Sequence, residues 1–411
     1  MRFTSGCFCA FRLERPPINQ QVETSPEPKS LNSPSMITPT ARWNFHRLRV
    51  GHLSWHRPFP IRKDSRRMLF LSERGNICHA QFFPFFLYSH ELATQLSISV
   101  RELPLERYLS GYNPYTTDVD VIGLQTWFDL APDRMTSLIA NLRKTWPHAQ
   151  IIYFDWCAPL DLRYADVLAP HIAAYVKKQI FRDFRNYSIP TKGDTNLTDY
   201  YSVRYGLDLP ETLFTVPSDF VKRLVLGPGF EYSPAISRLL QHPPPREHRE
   251  IDLHARVAAR GSEWYTRMRS EAQTNADTLG ERFNVTRGGR VSYSRYIEEL
   301  RNSKLCFSPF GYGEVCWRDF EAMCTGSLLL KPDVSHLRVA NDIFKPYETY
   351  VPLSWDLSDL SDKVAYYVKN GDERASIARN AYVSLHEIYR TRQFLTVVRP
   401  LLVLAGCTTR T

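Results

Sequence analysis

The chain has 411 residues, 43% of them hydrophobic and 13% aromatic, which is enough apolar material for sizeable buried cores. Apolar stretches such as Ile172–Val176 and Val397–Ala405, the second interrupted by Arg399, are far shorter than the roughly 20 residues that span a bilayer, so no membrane-spanning helix is predicted. The formal net charge is +9, but twelve Lys/Arg against four Asp/Glu in residues 1–67 account for nearly all of it, so the near-neutral remainder is not expected to bind nucleic acid.

Residues 1–67 are predicted to be a disordered basic leader. Pro, Ser, Thr and Asn dominate residues 24–40, a composition that cannot bury enough apolar surface to fold. The first eleven residues lack the apolar core of a secretory signal and no Cys pair has CxxC spacing, so we expect a cytoplasmic chain with reduced thiols. Because clustered Lys/Arg attract anionic surfaces, peripheral membrane contact and a non-enzymatic role in binding nucleic acid or another surface stay open as alternatives for the leader.

Residues 68–210 alternate short apolar runs with amphipathic stretches, which is typical of β–α units around a parallel sheet. We therefore predict a first Rossmann-like domain in this range. The predicted strands are Met68–Ser72, Ile98–Glu102, Val119–Gln125 and Gln150–Asp155, and the predicted helices are Ala80–Gln95 and Pro132–Trp146.

Residues 211–395 repeat this alternation and predict a second Rossmann-like domain, followed by a tail over residues 396–411; the hinge is expected between Asn196 and Gly229. The predicted strands are Glu250–Arg256, Arg282–Thr286, Lys304–Ser308, Ser327–Lys331 and Thr349–Leu353, and the predicted helices are Ser262–Leu279, Ser292–Asn302, Val315–Thr325, Leu357–Lys369 and Glu373–Tyr389. The predicted fold class is α/β, with two Rossmann-like domains facing a central cleft.

The most informative stretch joins strand, glycine loop, helix and strand over residues 303–333. Gly311 and Gly313 let the backbone pass close to an anion, and the start of the following helix presents unpaired N–H groups to it. Arg318 can add a charge-assisted contact to phosphate, and Glu321 can accept hydrogen bonds from both hydroxyls of a ribose. The alternative is that Arg318 and Glu321, spaced i, i+3, simply pair on the helix surface.

This stretch resembles the C-terminal donor-binding domain of GT-B glycosyltransferases, in particular the exostosin-like and group 1 families. The resemblance covers Tyr293–Lys369, and Phe320-Glu-Ala-Met-Cys-Thr-Gly326 matches their Glu-Ala-hydrophobic-small-x-Gly motif. It implies a glycosyltransferase that takes a sugar from a nucleotide-diphosphate sugar, with Glu321 on the ribose and Gly311, Gly313 and Arg318 near the diphosphate. It also assigns the first domain, residues 68–210, to the acceptor side.

Four further residues are weighed for the donor site. The group 1 pattern has two glutamates separated by seven residues, whereas Glu314 and Glu321 are separated by six, so Glu314 does not inherit the sugar-binding role and a retaining outcome is in doubt. Lys331, at a strand end, is expected near the phosphates or facing solvent. Arg256 and Arg260 follow the first strand of the second domain and are candidates for phosphate contacts.

No metal or cofactor is predicted, because a helix start and an arginine can stabilise a departing nucleoside diphosphate without one. Asp118-Val-Asp120 precedes a strand rather than ending one, so we reject it as a metal motif. If the reaction inverts, the general base is sought among Glu73, His79 and Asp155 by loop position. The acceptor is a glycan, a lipid-linked molecule or a protein, and a sugar epimerase or phosphotransferase of the same fold is the alternative enzyme.

Overall fold

The computed structural model describes residues 58–60, 65–115, 118–242, 247–289 and 291–407. The predicted disordered leader lies outside these residues except for 58–60 and 65–67. Within them, no helix combines the length and apolar character needed to cross a membrane.

The first domain is built on a six-stranded parallel sheet with the order β2-β1-β3-β4-β5-β9. Its described strands are β1 (Arg66–Ser72), β2 (Ile98–Pro104), β3 (Val121–Leu124), β4 (Gln150–Asp155), β5 (Ala174–Lys177), β6 (Gln179–Phe181), β7 (Thr191–Lys192), β8 (Glu211–Thr212) and β9 (Leu224–Leu226). Its described helices are α1 (Asn76–Leu87), α2 (Ser89–Gln95), α3 (Leu105–Leu109), α4 (Pro132–Thr145), α5 (Ala165–Leu168) and α6 (Asn196–Tyr205).

The second domain has a five-stranded parallel sheet with the order β11-β10-β12-β13-β15. The remaining strands are β10 (Ile251–His254), β11 (Val285–Thr286), β12 (Ser303–Phe307), β13 (Leu328–Pro332), β14 (Leu337–Val339) and β15 (Val351–Leu353). The remaining helices are α7 (Pro234–Leu239), α8 (Glu263–Leu279), α9 (Tyr293–Arg301), α10 (Trp317–Thr325), α11 (Leu360–Lys369), α12 (Gly371–Arg390) and α13 (Phe394–Leu404). Two parallel sheets covered by helices confirm the predicted fold class.

The local sequence explains where α4 begins and ends and why β1 is buried. Helix α4 begins with Pro132 in its first turn, where the missing N–H costs no hydrogen bond, and ends with two basic residues that complement the helix dipole. Strand β1 is apolar on both faces and its last five residues are buried, as expected of a strand covered by helices on both sides.

Three of the departures from the predicted elements concern the first domain and its ends. The predicted helix Ala80–Gln95 starts earlier, at Asn76, and is interrupted at Tyr88. Strand β9, inside the range assigned to the second domain, pairs with β5 of the first sheet. The predicted tail contains α13, which packs against β5 and β9. The main sheet of the first domain is therefore completed by β9 and contacted by α13, both of which lie beyond the predicted domain end at residue 210.

The two domains are also joined directly. Strand β6 of the first domain pairs antiparallel with β14 of the second, with Phe181 opposite Leu337. Arg182 reinforces this ribbon by donating to the carbonyl oxygens of Ser335 and Leu337, each at 3.1 Å. These contacts fix the carboxyl ends of the first sheet beside the glycine loop of the second.

Candidate functional site

The glycine loop, residues 308–316, connects β12 to α10 at the carboxyl edge of the second sheet. Gly311 donates its N–H to the carbonyl of Gly313 at 3.0 Å, which closes the loop on itself. A Cβ on Gly313 would lie 2.2 Å from the carbonyl oxygen of Ala158 in the first domain. Glycine at 313 is therefore required by the close approach of the two domains, a reason different from the predicted approach of an anion.

The start of α10 is occupied by a carboxylate of the same helix. Asp319 accepts hydrogen bonds from the Cys316 N–H at 2.9 Å and from the Ser308 hydroxyl at 2.6 Å. Its carboxylate also pairs with the Lys331 ammonium at 3.1 Å, and neither side chain is exposed. Lys331 donates a further hydrogen bond to the Glu314 carbonyl at 2.6 Å. Lys331 thus lies beneath the glycine loop and stabilises it, rather than facing solvent or the cleft.

Two guanidinium groups, those of Arg269 and Arg318, lie near the glycine loop, and we call them the arginine pair. Arg269 is buried and donates to the carbonyls of Ala258 and Phe310, at 3.0 and 2.9 Å. Burial, and then the nearby charge of Arg318, lower the pKa of Arg269. Arg318 donates to the carbonyls of Phe307 and Arg256, and its covered Nε has no hydrogen-bond partner among the described residues.

No carboxylate forms an ion pair with either member of the arginine pair in the part of the chain that the structure describes. A covered cation without a counter-charge is unfavourable, and two together are more so. Arg269 was not predicted as a site residue. A signal existed in the sequence, since it lies one position from the buried Met268 and one turn after Tyr265 on an otherwise apolar face of α8.

Glu321 lies one turn along α10 from Arg318 and is only 6% exposed. The Tyr296 hydroxyl donates to its carboxylate at 3.0 Å, and no ion pair joins Glu321 to Arg318, unlike in the alternative considered from the sequence. Burial raises the pKa of the Glu321 carboxyl against the opposing effect of hydrogen bonds from Tyr296 and Tyr293. The same tyrosine packs edge-on against His254, whose burial, together with the charge of Arg318, lowers its pKa to about 3.

The two arginines that follow β10 have different surroundings. Arg256 forms a bidentate ion pair with Glu299, at 2.6 and 3.0 Å, and donates to the carbonyls of Arg287 and Gly289. Its guanidinium is therefore engaged in holding loops together. Arg260 is exposed and has neither a hydrogen bond nor an ion pair within the described residues. Of these two arginines, Arg260 is the one free to reach a ligand at this edge of the sheet.

Glu314 connects the domains instead of facing a ligand. Its buried carboxylate accepts hydrogen bonds from the amides of Gln179 and Asn196, at 3.0 and 2.8 Å, both from the first domain. On the second domain, the His336 Nε2 lies 3.4 Å from the Glu314 Oε1. This interdomain role fits the irregular glutamate spacing noted in the sequence.

The three candidate bases of the first domain differ sharply in their surroundings. Asp155 is buried against the Lys177 ammonium at 2.8 Å and accepts from the Tyr175 hydroxyl at 2.8 Å. Although burial alone acts to raise it, the pKa of Asp155 is lowered by the charge of Lys177. His79 is buried against Phe83 in α1. Glu73 is partly exposed at the end of β1, and burial raises the pKa of its carboxyl.

Metal-binding side chains are not grouped at this site. Among the residues described, no set of three or more His, Cys, Asp and Glu side chains is arranged to hold a metal ion.

Comparison with known families places the site in context. Residues 234–396 match a family model described as glycosyl transferase-like. The match covers less than half of the chain, and these residues are similar to that family. The predicted resemblance to GT-B glycosyltransferases is thereby confirmed over this range. The matched range contains the glycine loop, α10 and both members of the arginine pair. No curated protein sequence matches the chain.

Several solved structures resemble the chain at low sequence identity. An alpha-glucosyltransferase in complex with UDP-glucose and DNA containing an abasic site has a TM-score of 0.45 and 10% identity, over 82% of this chain and 100% of that chain. A glycosyltransferase from Rickettsia africae ESF-5 has a TM-score of 0.45 and 9% identity, over 84% of this chain and 100% of that chain. TarM has a TM-score of 0.40 and 12% identity, over 70% of this chain and 54% of that chain. Likeness at this level identifies neither the donor nor the acceptor.

Proposed function

We propose that the protein transfers a sugar from a nucleotide-diphosphate sugar to an acceptor. The observation that carries this proposal is the arginine pair: the buried Arg269 and the partly buried Arg318 form no ion pair with a carboxylate among the described residues, and they lie at the carboxyl edge of a parallel sheet. In α/β proteins this edge is where ligands bind. A diphosphate would supply the missing negative charge, and bidentate contacts to phosphate suit the planar guanidinium.

Each donor-binding residue has a role in this proposal. Arg318, Arg269 and the exposed Arg260 hold the diphosphate and stabilise the charge that develops as it leaves. Glu321, held in place by Tyr296, accepts hydrogen bonds from the ribose. Gly311, Gly313 and Lys331 set the position of the glycine loop. Arg256 braces the neighbouring loop through the carbonyls of Arg287 and Gly289 and is itself held by Glu299 of α9. Because these groups suffice to stabilise a leaving diphosphate, we propose a reaction that needs no metal.

We propose Glu73 as the general base of an inverting transfer. A base must reach the substrate and accept a proton, and a carboxyl with a raised pKa is suited to this task near neutral pH. Asp155 is neutralised by Lys177, and His79 is only 2% exposed. Glu73 is the candidate whose carboxylate forms no ion pair or side-chain hydrogen bond within the described residues.

Thermal unfolding in the presence of UDP, GDP, ADP and TDP tests the donor site. A ligand at a hundred times its Kd stabilises the folded state by about 2.7 kcal/mol, so the correct nucleotide raises Tm by several degrees. Arg318→Met should abolish that shift and Arg260→Ala should reduce it. Arg134→Ala, which removes an exposed arginine of α4 in the first domain, is the matched control and should leave the shift unchanged.

Four nucleotides without effect on the wild type, or a full shift retained by Arg318→Met, would contradict the proposal. Analysis of the reaction products distinguishes a glycosyltransferase from the alternative enzymes of the same fold. A transferase couples nucleotide release to a new glycosidic bond, whereas an epimerase returns an altered sugar without an acceptor. Glu73→Gln should leave the nucleotide-induced shift intact while lowering the transfer rate by at least a hundredfold.

A further inference from the structure

Three aromatic rings form a wall on the first domain that the proposed donor site does not use. The aromatic wall consists of Trp127 and Phe128, just after β3, and Trp156, directly after β4. The Trp127 ring centroid lies 5.0 Å from that of Phe128 and 5.6 Å from that of Trp156. Trp156 is almost fully buried, whereas Trp127 is 42% exposed, so the wall presents one indole ring to solvent.

Hydrogen bonds hold the wall in place from behind. The Trp156 indole N–H donates to the Thr126 carbonyl at 2.8 Å, which ties the two strand ends together. The Tyr164 hydroxyl donates to the Phe128 carbonyl at 2.8 Å, and the Thr126 hydroxyl bonds to that of Tyr153 at 2.8 Å. An exposed aromatic side chain on so well-supported a backbone binds a ligand at low entropic cost.

The wall lies beside the proposed site of reaction. Ala158, two residues after Trp156, is the first-domain residue against which Gly313 of the glycine loop packs. Trp156 and Cys78 belong to one buried cluster, with Phe128 packed against it. The charge of Glu73 reaches Cys78 and contributes, after burial, to raising the pKa of that thiol. The exposed indole, the carboxylate of Glu73 and the glycine loop therefore converge on one edge of the first sheet.

We infer that the aromatic wall binds a pyranose ring of a saccharide acceptor, with Trp127 as the stacking residue; this rests on the proposed function. An aromatic face packs well against the C–H face of a sugar ring and leaves the hydroxyls free for polar neighbours. Asp129 is exposed and follows Phe128 in the chain, and Glu73 follows β1, the strand that pairs with β3, so both carboxylates lie at the same edge of the sheet as the wall. A lipid tail would require a wide apolar surface, whereas Trp127 is the most exposed ring of the wall and has these carboxylates at its edge of the sheet.

In the proposed transfer step, one bond forms and one bond breaks at the anomeric carbon of the donor. An acceptor hydroxyl oxygen attacks the anomeric carbon of the donor, its proton passes to the Glu73 carboxylate, and the new glycosidic C–O bond forms. The bond from the anomeric carbon to the diphosphate oxygen breaks, and the nucleoside diphosphate leaves with the electron pair. Trp127 takes no part in these bond changes and acts by positioning the acceptor ring.

Titration of the full chain with methyl glycosides tests the inference. The panel is the methyl pyranosides of glucose, galactose, mannose, N-acetylglucosamine, rhamnose and xylose, followed by saturation-transfer NMR with the stabilising nucleotide present. We expect at least one glycoside to bind, Trp127→Ala to weaken it at least tenfold, and Trp127→Phe to recover part of the loss. Tyr366→Ala, which removes a 49% exposed ring from α11 of the second domain, should have no effect.

The controls separate this inference from the function on which it rests. Trp127→Ala should keep the wild-type thermal shift with nucleotide, because the wall lies outside the donor site. Equal glycoside binding by the wild type and Trp127→Ala, or no binding of any glycoside to the wild type, overturns the acceptor inference while leaving nucleotide binding intact. A wild type that no nucleotide stabilises removes the proposed function, and this inference with it.

Discussion

Lys331 and Asp319 place opposite charges 3.1 Å apart with neither side chain exposed. Lys331→Met removes the cation and leaves the Asp319 carboxylate buried without its partner. We expect the free energy of unfolding to fall by about 3–5 kcal/mol, measured by urea denaturation. We expect the affinity for the nucleotide to fall only if loss of the Lys331 ammonium displaces the glycine loop.

Lys304→Met is the matched control. Lys304 pairs with Asp252 at 2.6 Å, but both side chains are partly exposed, at 27% and 17%. Removing a lysine from such a pair changes stability by about 0–1 kcal/mol. Similar losses in the two variants would show that the Lys331 pair is not the support of the loop that its burial indicates.

Glu231 offers a prediction about pH. Its carboxyl is 6% exposed and accepts from the Asn341 amide at 3.0 Å, and burial raises its pKa to about 7. The folded state therefore holds a proton that the unfolded state releases near pH 4.5, so stability falls as pH rises between those values. Relative to Glu231→Gln, the wild type should lose about 2–3 kcal/mol of unfolding free energy from pH 4.5 to 7.5.

The neighbouring Lys178 must be considered in that measurement. Burial lowers the pKa of its ammonium to about 8, so above pH 8 it makes stability rise with pH, opposite to the effect of Glu231. The comparison is therefore confined below pH 7.5. Glu281→Gln, at an exposed position, is the control, and its difference from the wild type should not vary over this range. A flat difference for Glu231→Gln as well would contradict the prediction.

At the residue scale the sequence could predict which side chains gather, but not which of them pair. Gly311, Gly313, Arg318 and Glu321 lie in one unit because strand, loop and helix are contiguous in the chain. The partners of Lys331 and Arg256 were not predictable, because Asp319 and Glu299 meet them through tertiary packing. Arg269 was missed for the same reason, since it reaches the site from another helix.

The glycine loop gives a prediction at the element scale. A Cβ on Gly313 would meet the Ala158 carbonyl oxygen at 2.2 Å, and a backbone atom cannot move aside as a side-chain end can. Gly313→Ala should therefore push the loop from the first domain and lower the unfolding free energy by about 1–3 kcal/mol. Gly311→Ala is the control, because its nearest neighbour is the Cys316 sulfur at 3.4 Å, and it should cost less than about 1 kcal/mol. Equal losses measured by thermal unfolding would show that the contact with Ala158 is unimportant.

Elements with strong periodicity were predicted closely from the sequence. Helix α4 and strands β1 and β4 fall within two residues of their predicted bounds, because burial pattern and end signals agree. The short strands β6 and β14 were not predicted. They have three residues each and form by pairing across the domains, so no local pattern marks them.

Helix α13 gives a prediction at the scale of the whole molecule. It follows the last helix of the second domain yet inserts Phe394, which has no exposed surface, against Phe85 and Tyr88 of the first domain at 5.0 and 5.3 Å. Phe394→Ala should lower the unfolding free energy by about 3–5 kcal/mol and speed hydrogen exchange in α1. Leu395→Ala, at a half-buried neighbouring position, should cost less. Unchanged exchange in α1 would show that α13 does not support the first domain.

The two-domain architecture was predictable because each domain repeats its own β–α alternation. The path by which the chain passes from one domain to the other and back was not predictable. Strand β9 and helix α13 complete the first domain from positions that follow its predicted end, and their apolar residues would suit either domain. Only the tertiary contacts decide between them.

That return of the chain has a practical consequence. Arg66, at the start of β1, and Ala405–Cys407, just after α13, border one surface pocket. They lie at the amino edge of the first sheet, opposite the edge that carries Glu73 and the aromatic wall. A fluorescent protein fused after residue 407, or before Arg66 in a chain shortened to begin there, would lie on the side opposite the cleft. In that shortened chain a short peptide bridging the two positions would give a circular permutant whose cleft stays open to substrate.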